Sequence, residues 1–143
     1  MSTGRTAALV ARLGEYDTLV EVGVGRRHDV ARALAERGCE VTATDVHERS
    51  VPDVAFVRDD VTDPDPAVYA GADAVYALNL PPELQGPTLA VAADAGADCL
   101  FTTLGGDPAT VPVERETLPG ETLFRARTDR HANTNGKTRR PPG

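Results

Sequence analysis

The run Val20-Glu21-Val22-Gly23-Val24-Gly25 constrains this chain more than any other. Residues 18–22 read as a buried strand that ends in a turn suited to glycine, whose missing Cβ lets the backbone bend sharply and a ligand approach closely. A helix follows and ends at Gly38, which fits the position just past a helix C-terminus. In that helix Val30 and Leu34 lie four apart, as do Ala31 and Ala35, so one small apolar face can lie close on a sheet. Asp45 then closes the next predicted strand, residues 40–46. Strand, glycines, helix and a carboxylate at the neighbouring strand's end form a unit that can bind a nucleoside. The helix start offers unpaired N–H groups, and the acid can accept both hydroxyls of a ribose.

The rest of the chain extends this unit. Residues 3–13 read as a short amphipathic helix with Leu9, Val10 and Leu13 on one side, closed by Gly14. A third strand is predicted over residues 53–58, too near the second for a crossover helix between them. Asp63-Pro64-Asp65-Pro66 marks a turn and a helix start. A fourth strand over 73–78 is stopped by Pro81-Pro82, an alanine-rich helix covers 83–95, and a fifth strand covers 98–103. Two further β-like runs flank Leu118-Pro119-Gly120-Glu121, which reads as a hairpin turn. Alternating strands and helices predict an α/β fold, a minimal doubly wound, mostly parallel, Rossmann-like sheet over residues 1–127. Ligands are expected at the carboxyl ends of its strands, where the strand order switches.

Charge is unevenly spread. Residues 1–124 carry 9 bases against 21 acids, whereas residues 125–143 hold six Lys/Arg and one acid, Asp129. Lysine occurs once, at Lys137. An acidic, lysine-poor body suits a salt-rich cytosol, where carboxylates hold water and repulsion is screened. It disfavours nucleic acid on the main surface, leaving the basic tail as the one route to RNA. Residues 128–143 are polar and aperiodic and are expected to be a disordered tail. Cys39 and Cys99 stand far apart in apolar settings, as buried reduced thiols do, and the expected location is the cytoplasm. No stretch approaches the ~20 apolar residues of a membrane span. No His/Cys/carboxylate spacing suggests a metal, and neither Ser2 nor Ser50 lies in a nucleophile elbow.

Two nucleotide classes fit the glycine turn. The dinucleotide fingerprint wants glycine where this chain has His28, but Arg26 and Arg27 could hold the phosphates of NAD or a related nucleotide. The acid-led form, Glu21-x-Gly23-x-Gly25, points instead to S-adenosylmethionine, whose sulfonium and amine suit an acidic pocket of Glu21, Asp45 and Asp60. Residues 18–47 thus resemble motif I and the following acidic motif of class I methyltransferases, with Arg27 where a last glycine is usual. The resemblance implies that Glu21 faces the methionine amine and that Gly23, Val24 and Gly25 admit the ligand. It implies Asp45 and Val46 at the ribose and adenine, and Asp60, of the pair Asp59-Asp60, at the adenine amino group. Asn79, in Asn79-Leu80-Pro81-Pro82, resembles the amide of amino-methylating members and is the candidate catalytic residue, although Leu80 departs from their spacing. His28 and His47 could border the cofactor, and Thr102-Thr103-Leu104-Gly105-Gly106 could shape the pocket rim.

Together with Asp59-Asp60-Val61-Thr62 and Pro81-Pro82-Glu83-Leu84, the stretch from Val20 to Asp45 is similar to an archaeal group, uncharacterised protein family 0146. That resemblance implies a methyltransferase-like fold with no assigned reaction, and the acidic body fits a halophilic member. Three functions follow as expectations. One is a domain binding S-adenosylmethionine or a related adenine nucleoside, with methyl transfer to an unknown acceptor. The others are a non-enzymatic NAD- or nucleotide-binding regulator, and a subunit or RNA-associated adaptor. The small size leaves room for a protein partner or homodimer to complete a substrate pocket.

Overall fold

The computed structural model describes residues 4–127. The expected basic tail, residues 128–143, lies outside the described residues, as do Ser2 and the first residue of the predicted N-terminal helix. The elements in order are α1 (Gly4–Leu13), β1 (Thr18–Glu21), α2 (Asp29–Glu36), β2 (Glu40–Asp45), β3 (Ala55–Arg58), α3 (Pro66–Tyr69), β4 (Ala74–Ala77), α4 (Pro82–Ala95), β5 (Asp98–Phe101), β6 (Val113–Leu118) and β7 (Glu121–Ala126). They build one seven-stranded sheet in the order β3-β2-β1-β4-β5-β7-β6. The neighbours from β3 through β5 are parallel, and β7 runs antiparallel between β5 and β6. The chain steps outward from β1 to β3 and then returns to β4 on the other side of β1. The order therefore switches between β1 and β4.

Side chains alternate across the sheet and sort into two layers. On one face, Leu9 and Leu13 of α1 and Val30 and Leu34 of α2 bury Leu19, Val41, Tyr76 and Leu100. On the other, Tyr69 of α3 and Val91 and Ala92 of α4 bury Val20, Val75, Ala77 and Phe101. Strands β1, β4 and β5 are covered on both faces, which is why they read as nearly continuous apolar runs. Between β2 and β3 there is no helix, as the short spacing predicts, and Val51 and Val54 cover Ala43 and Phe56 there. The first and last elements are tied together. Arg12 of α1 places Nε 2.7 Å from Glu116 Oε1 on β6, and Arg5 lies 4.0 Å from Glu121 on β7.

The β5–β6 connection also lacks a helix. Residues 102–112 contain Gly105-Gly106, Pro108 and Pro112, which oppose helix formation. A wholly buried amide holds this loop instead. Gln85 on α4 donates from Nε2 to the Pro108 carbonyl at 3.0 Å, and its Oε1 accepts from the Thr110 N–H at 2.6 Å. Gln85→Ala leaves both loop groups unpaired and is expected to cost about 3 kcal/mol, read as a lowered urea midpoint at unchanged m.

Candidate functional site

The glycine turn lies at the carboxyl end of β1, and its backbone is fastened on both sides. The Val22 N–H donates to Tyr76 O at 2.8 Å and the Val24 N–H to Thr44 O at 2.9 Å. Gly23 (φ 70°) and Gly25 (φ 56°) both adopt the left-handed conformation that favours glycine. A Cβ added at Gly23 would meet no atom within 4 Å, so its backbone is open to an approaching molecule. Val24 contributes backbone only, because its side chain is buried against Ala43 and Val51.

Asp45 ends β2 beside this turn and is 7% exposed. Its Oδ2 accepts the Gly25 N–H at 2.8 Å and its Oδ1 accepts the His47 N–H at 2.9 Å. Arg49 Nε stands 3.6 Å from Oδ1. The carboxylate thus sets the turn, and each oxygen keeps a lone pair for a ligand hydroxyl. Next to it, Val46 is 47% exposed and lines a 410 Å³ cleft with Arg58, Asp59 and Asp60. The two adjacent acids divide their work. Asp59 accepts from the Asp65 N–H and, at 2.7 Å, from the Tyr69 hydroxyl, which anchors α3. Asp60 is exposed, and its Oδ1 accepts from the Thr62 N–H and hydroxyl, bonds that hold its carboxyl below the ordinary carboxylate value. Gly23, Gly25, Asp45, Val46 and Asp60 therefore follow one another along the carboxyl ends of β1, β2 and β3.

Glu21 points elsewhere. It is 1% exposed, on the α1–α2 face of the sheet, and accepts a 2.7 Å hydrogen bond from the Tyr76 hydroxyl directly across on β4. Burial pushes its carboxyl up to about 8, with Asp29 adding to the rise while the Tyr76 bond and the charge of Arg27 oppose it. The same burial, with Glu21 beside it, holds the Tyr76 hydroxyl well above its ordinary value. Tyr76 carries the missed signal, being the one polar-tipped side chain among the otherwise apolar residues 74–78.

The helix after the turn ends just before Gly38, as the sequence suggests. Arg26 and Arg27 lie in a turn, and α2 begins at Asp29. Asp29 Oδ1 accepts the Val30 N–H at 2.9 Å and the Arg27 Nε–H at 3.1 Å. A carboxylate thus occupies the helix start where a phosphate would sit. His28 braces the turn through Nε2, 3.0 Å from the Gly25 carbonyl, while His47 engages Asp45 through its backbone. Across the order switch, Asn79 is exposed just past β4, with φ 55°. Its N–H donates to the hydroxyl of buried Thr102 at 2.8 Å. Asn79 shares the carboxyl edge but does not line the Val46–Asp60 cleft.

The model of an uncharacterised protein family, UPF0146, matches residues 4–129. A UPF0146 protein of Halobacterium salinarum is 59% identical over 121 residues, spanning 83% of this chain and 94% of the relative. One from Archaeoglobus fulgidus is 50% identical over 90 residues, spanning 62% and 69%. Among solved structures, a TehB-like SAM-dependent methyltransferase from Corynebacterium glutamicum superposes with TM-score 0.60 at 16% identity, covering 87% of this chain and 86% of that one. An RNA methyltransferase from Salinibacter ruber in complex with S-adenosyl-L-homocysteine gives 0.59 at 17% identity, covering 88% and 92%. At these identities the likeness is one of fold, and the fold is Rossmann-like, of the methyltransferase type.

The buried Glu21 carboxyl makes stability depend on pH. Folding holds its proton to higher pH than the unfolded chain does, from an ordinary value of 4.5 to about 8. Its contribution to stability is therefore complete below the ordinary value and declines as pH rises towards 8. Glu21→Gln keeps an acceptor for Tyr76 and removes the titration. Its stability relative to the parent protein should climb by about 1.4 kcal/mol per pH unit across that window and level off above it, as read from urea midpoints.

Proposed function

The chain belongs to UPF0146, and we propose that it binds S-adenosylmethionine, or a closely related adenine nucleoside, along the carboxyl ends of β1–β3. One observation carries this reading. An open glycine turn, a ribose-competent carboxylate and an acid-edged cleft stand in line, while the adjoining helix start is already occupied by the carboxylate of Asp29. That donor set suits a ligand with hydroxyls, an amino-bearing base and positive charge, and it repels a pyrophosphate. The NAD alternative, with Arg26 and Arg27 on phosphates, finds no such support, since Arg27 is held by Asp29.

In this reading Gly23 and Gly25 let the ligand lie against the turn, Asp45 accepts the ribose hydroxyls, Val46 packs on the base and Asp60 accepts from its amino group. Glu21 sits beneath the turn as a positioning residue and does not touch the ligand. When bound, S-adenosylmethionine supplies a methyl carbon on a sulfonium, a leaving group needing no protein acid. The protein's part in a transfer is then to position, and Asn79, beside the turn across the order switch, is the residue placed to orient an acceptor. No described helix is long and apolar enough to cross a membrane, and we place this activity in the cytoplasm, as the reduced thiols suggest.

The test is thermal unfolding in concentrated potassium chloride with S-adenosylmethionine, S-adenosylhomocysteine, NAD or ATP added separately. The first two should stabilise by about 2.7 kcal/mol at one hundred times their dissociation constant, a rise of several degrees, and the others should not. A rise with NAD or ATP alone would overturn the reading. Asp60→Ala removes a side chain whose only described bonds are to Thr62. It should leave the unliganded midpoint in place and weaken S-adenosylhomocysteine by about tenfold, the value of one charge-assisted hydrogen bond.

A further inference from the structure

A second and larger concavity lies at the opposite end of the sheet. A groove of 780 Å³ is bounded by residues 103–109 of the β5–β6 loop and by the β6–β7 hairpin. It exists because no helix crosses from β5 to β6, which leaves one face of the last two strands uncovered. Gln85 keeps the loop at a fixed place over that face.

The charges in the groove are arranged in opposition. On the β6 wall, the Arg115 guanidinium lies over the Phe124 ring, 5.7 Å from its centroid. That cation–π contact holds the guanidinium at the ring, and its N–H groups donate to no acceptor among the described residues. Arg115 makes no ion pair among the described residues, and neither do Arg26, Arg37, Arg58 and Arg127, while Arg5, Arg12, Arg27, Arg32, Arg49 and Arg125 do. On the loop wall, the Asp107 carboxylate likewise has no partner among the described residues, and Thr103 of the loop and Thr117 and Thr122 of the hairpin also line the groove. The remaining charged group, Glu121, is the one that faces Arg5.

We propose that this groove is a binding site for a small zwitterionic molecule, with a phosphate or carboxylate on Arg115 and an amine towards Asp107. A planar guanidinium takes either anion bidentately through its N–H groups. An unpaired carboxylate across the groove favours a cation and disfavours a dianion lacking one. The groove is separated from the glycine turn by β4 and β5, so its occupancy does not depend on a nucleoside there.

The experiment uses the full chain in concentrated potassium chloride, following the Arg115 Nε–H and the Gly105 and Gly106 amides by 15N NMR. The probes are phosphoethanolamine and ethyl phosphate, and β-alanine and propionate. Saturable shifts at these three residues are expected, with the amine-bearing member of a pair binding more tightly than its partner. The pair that binds more tightly identifies the anion as phosphate or carboxylate. Arg115→Gln should weaken binding by about tenfold, the value of one charge-assisted contact. Asp107→Asn should abolish the preference for the amine. Both side chains are exposed, and the remaining resonances report that each variant is folded. Absence of saturable shifts, equal affinity in Arg115→Gln, or equal binding of both members of each pair would overturn the proposal.

Discussion

Two backbone amides separated by twenty-two residues converge on one nearly buried carboxylate, and the geometry of the carboxyl edge depends on them. Asp45 accepts from Gly25 with one oxygen and from His47 with the other. The first bond fixes the glycine turn against the end of β2. The second fixes the direction in which the chain leaves β2, which sets the exposed Val46 in the cleft and brings Arg49 up to the same acid. Because a charged acceptor makes shorter and stronger bonds than a neutral one, no uncharged residue would hold the turn as firmly.

Beneath that turn the core breaks its own rule. Glu21 and Tyr76 place a carboxyl and a phenol in an otherwise apolar layer, opposite one another in the β1–β4 register. The pair satisfies itself by one hydrogen bond, yet the ionised form of Glu21 stays poorly solvated. The strand that ends at the open glycine turn therefore carries an acid whose carboxyl burial pushes up to about 8.

The parts legible in the sequence are those where local backbone geometry dictates residue type. A strand-to-helix turn with left-handed φ at two positions asks for Gly23 and Gly25, and the strand pattern puts Asp45 next to them. The missing helix between β2 and β3 followed from spacing alone, and the hairpin followed from Pro119-Gly120. What could not be read depends on partners far along the chain or on competition for a single group. Glu21 turns into the core because Tyr76 waits there, 55 residues on. Arg27 is not free for a phosphate because Asp29, which also takes the Val30 amide, holds it. The loop that Gln85 clasps lies 23 to 25 residues on, and the ring that Arg115 meets is brought to it by strand pairing.

The sheet order also bears on how the protein is made. Among the described residues strand β6 pairs only with β7, and β7 inserts between β6 and β5. During synthesis β6 therefore leaves the ribosome with no strand to join. The β5 edge, with its buried Leu100 and Phe101, stays open until the final hairpin is complete. A nascent chain halted before Glu121 carries a bare apolar sheet edge and a stray strand, the features that promote pairing between chains. The Arg12–Glu116 clasp likewise waits until 104 further residues have followed Arg12. The acidic body gives such half-made chains mutual repulsion while they wait, a protection that added salt would weaken.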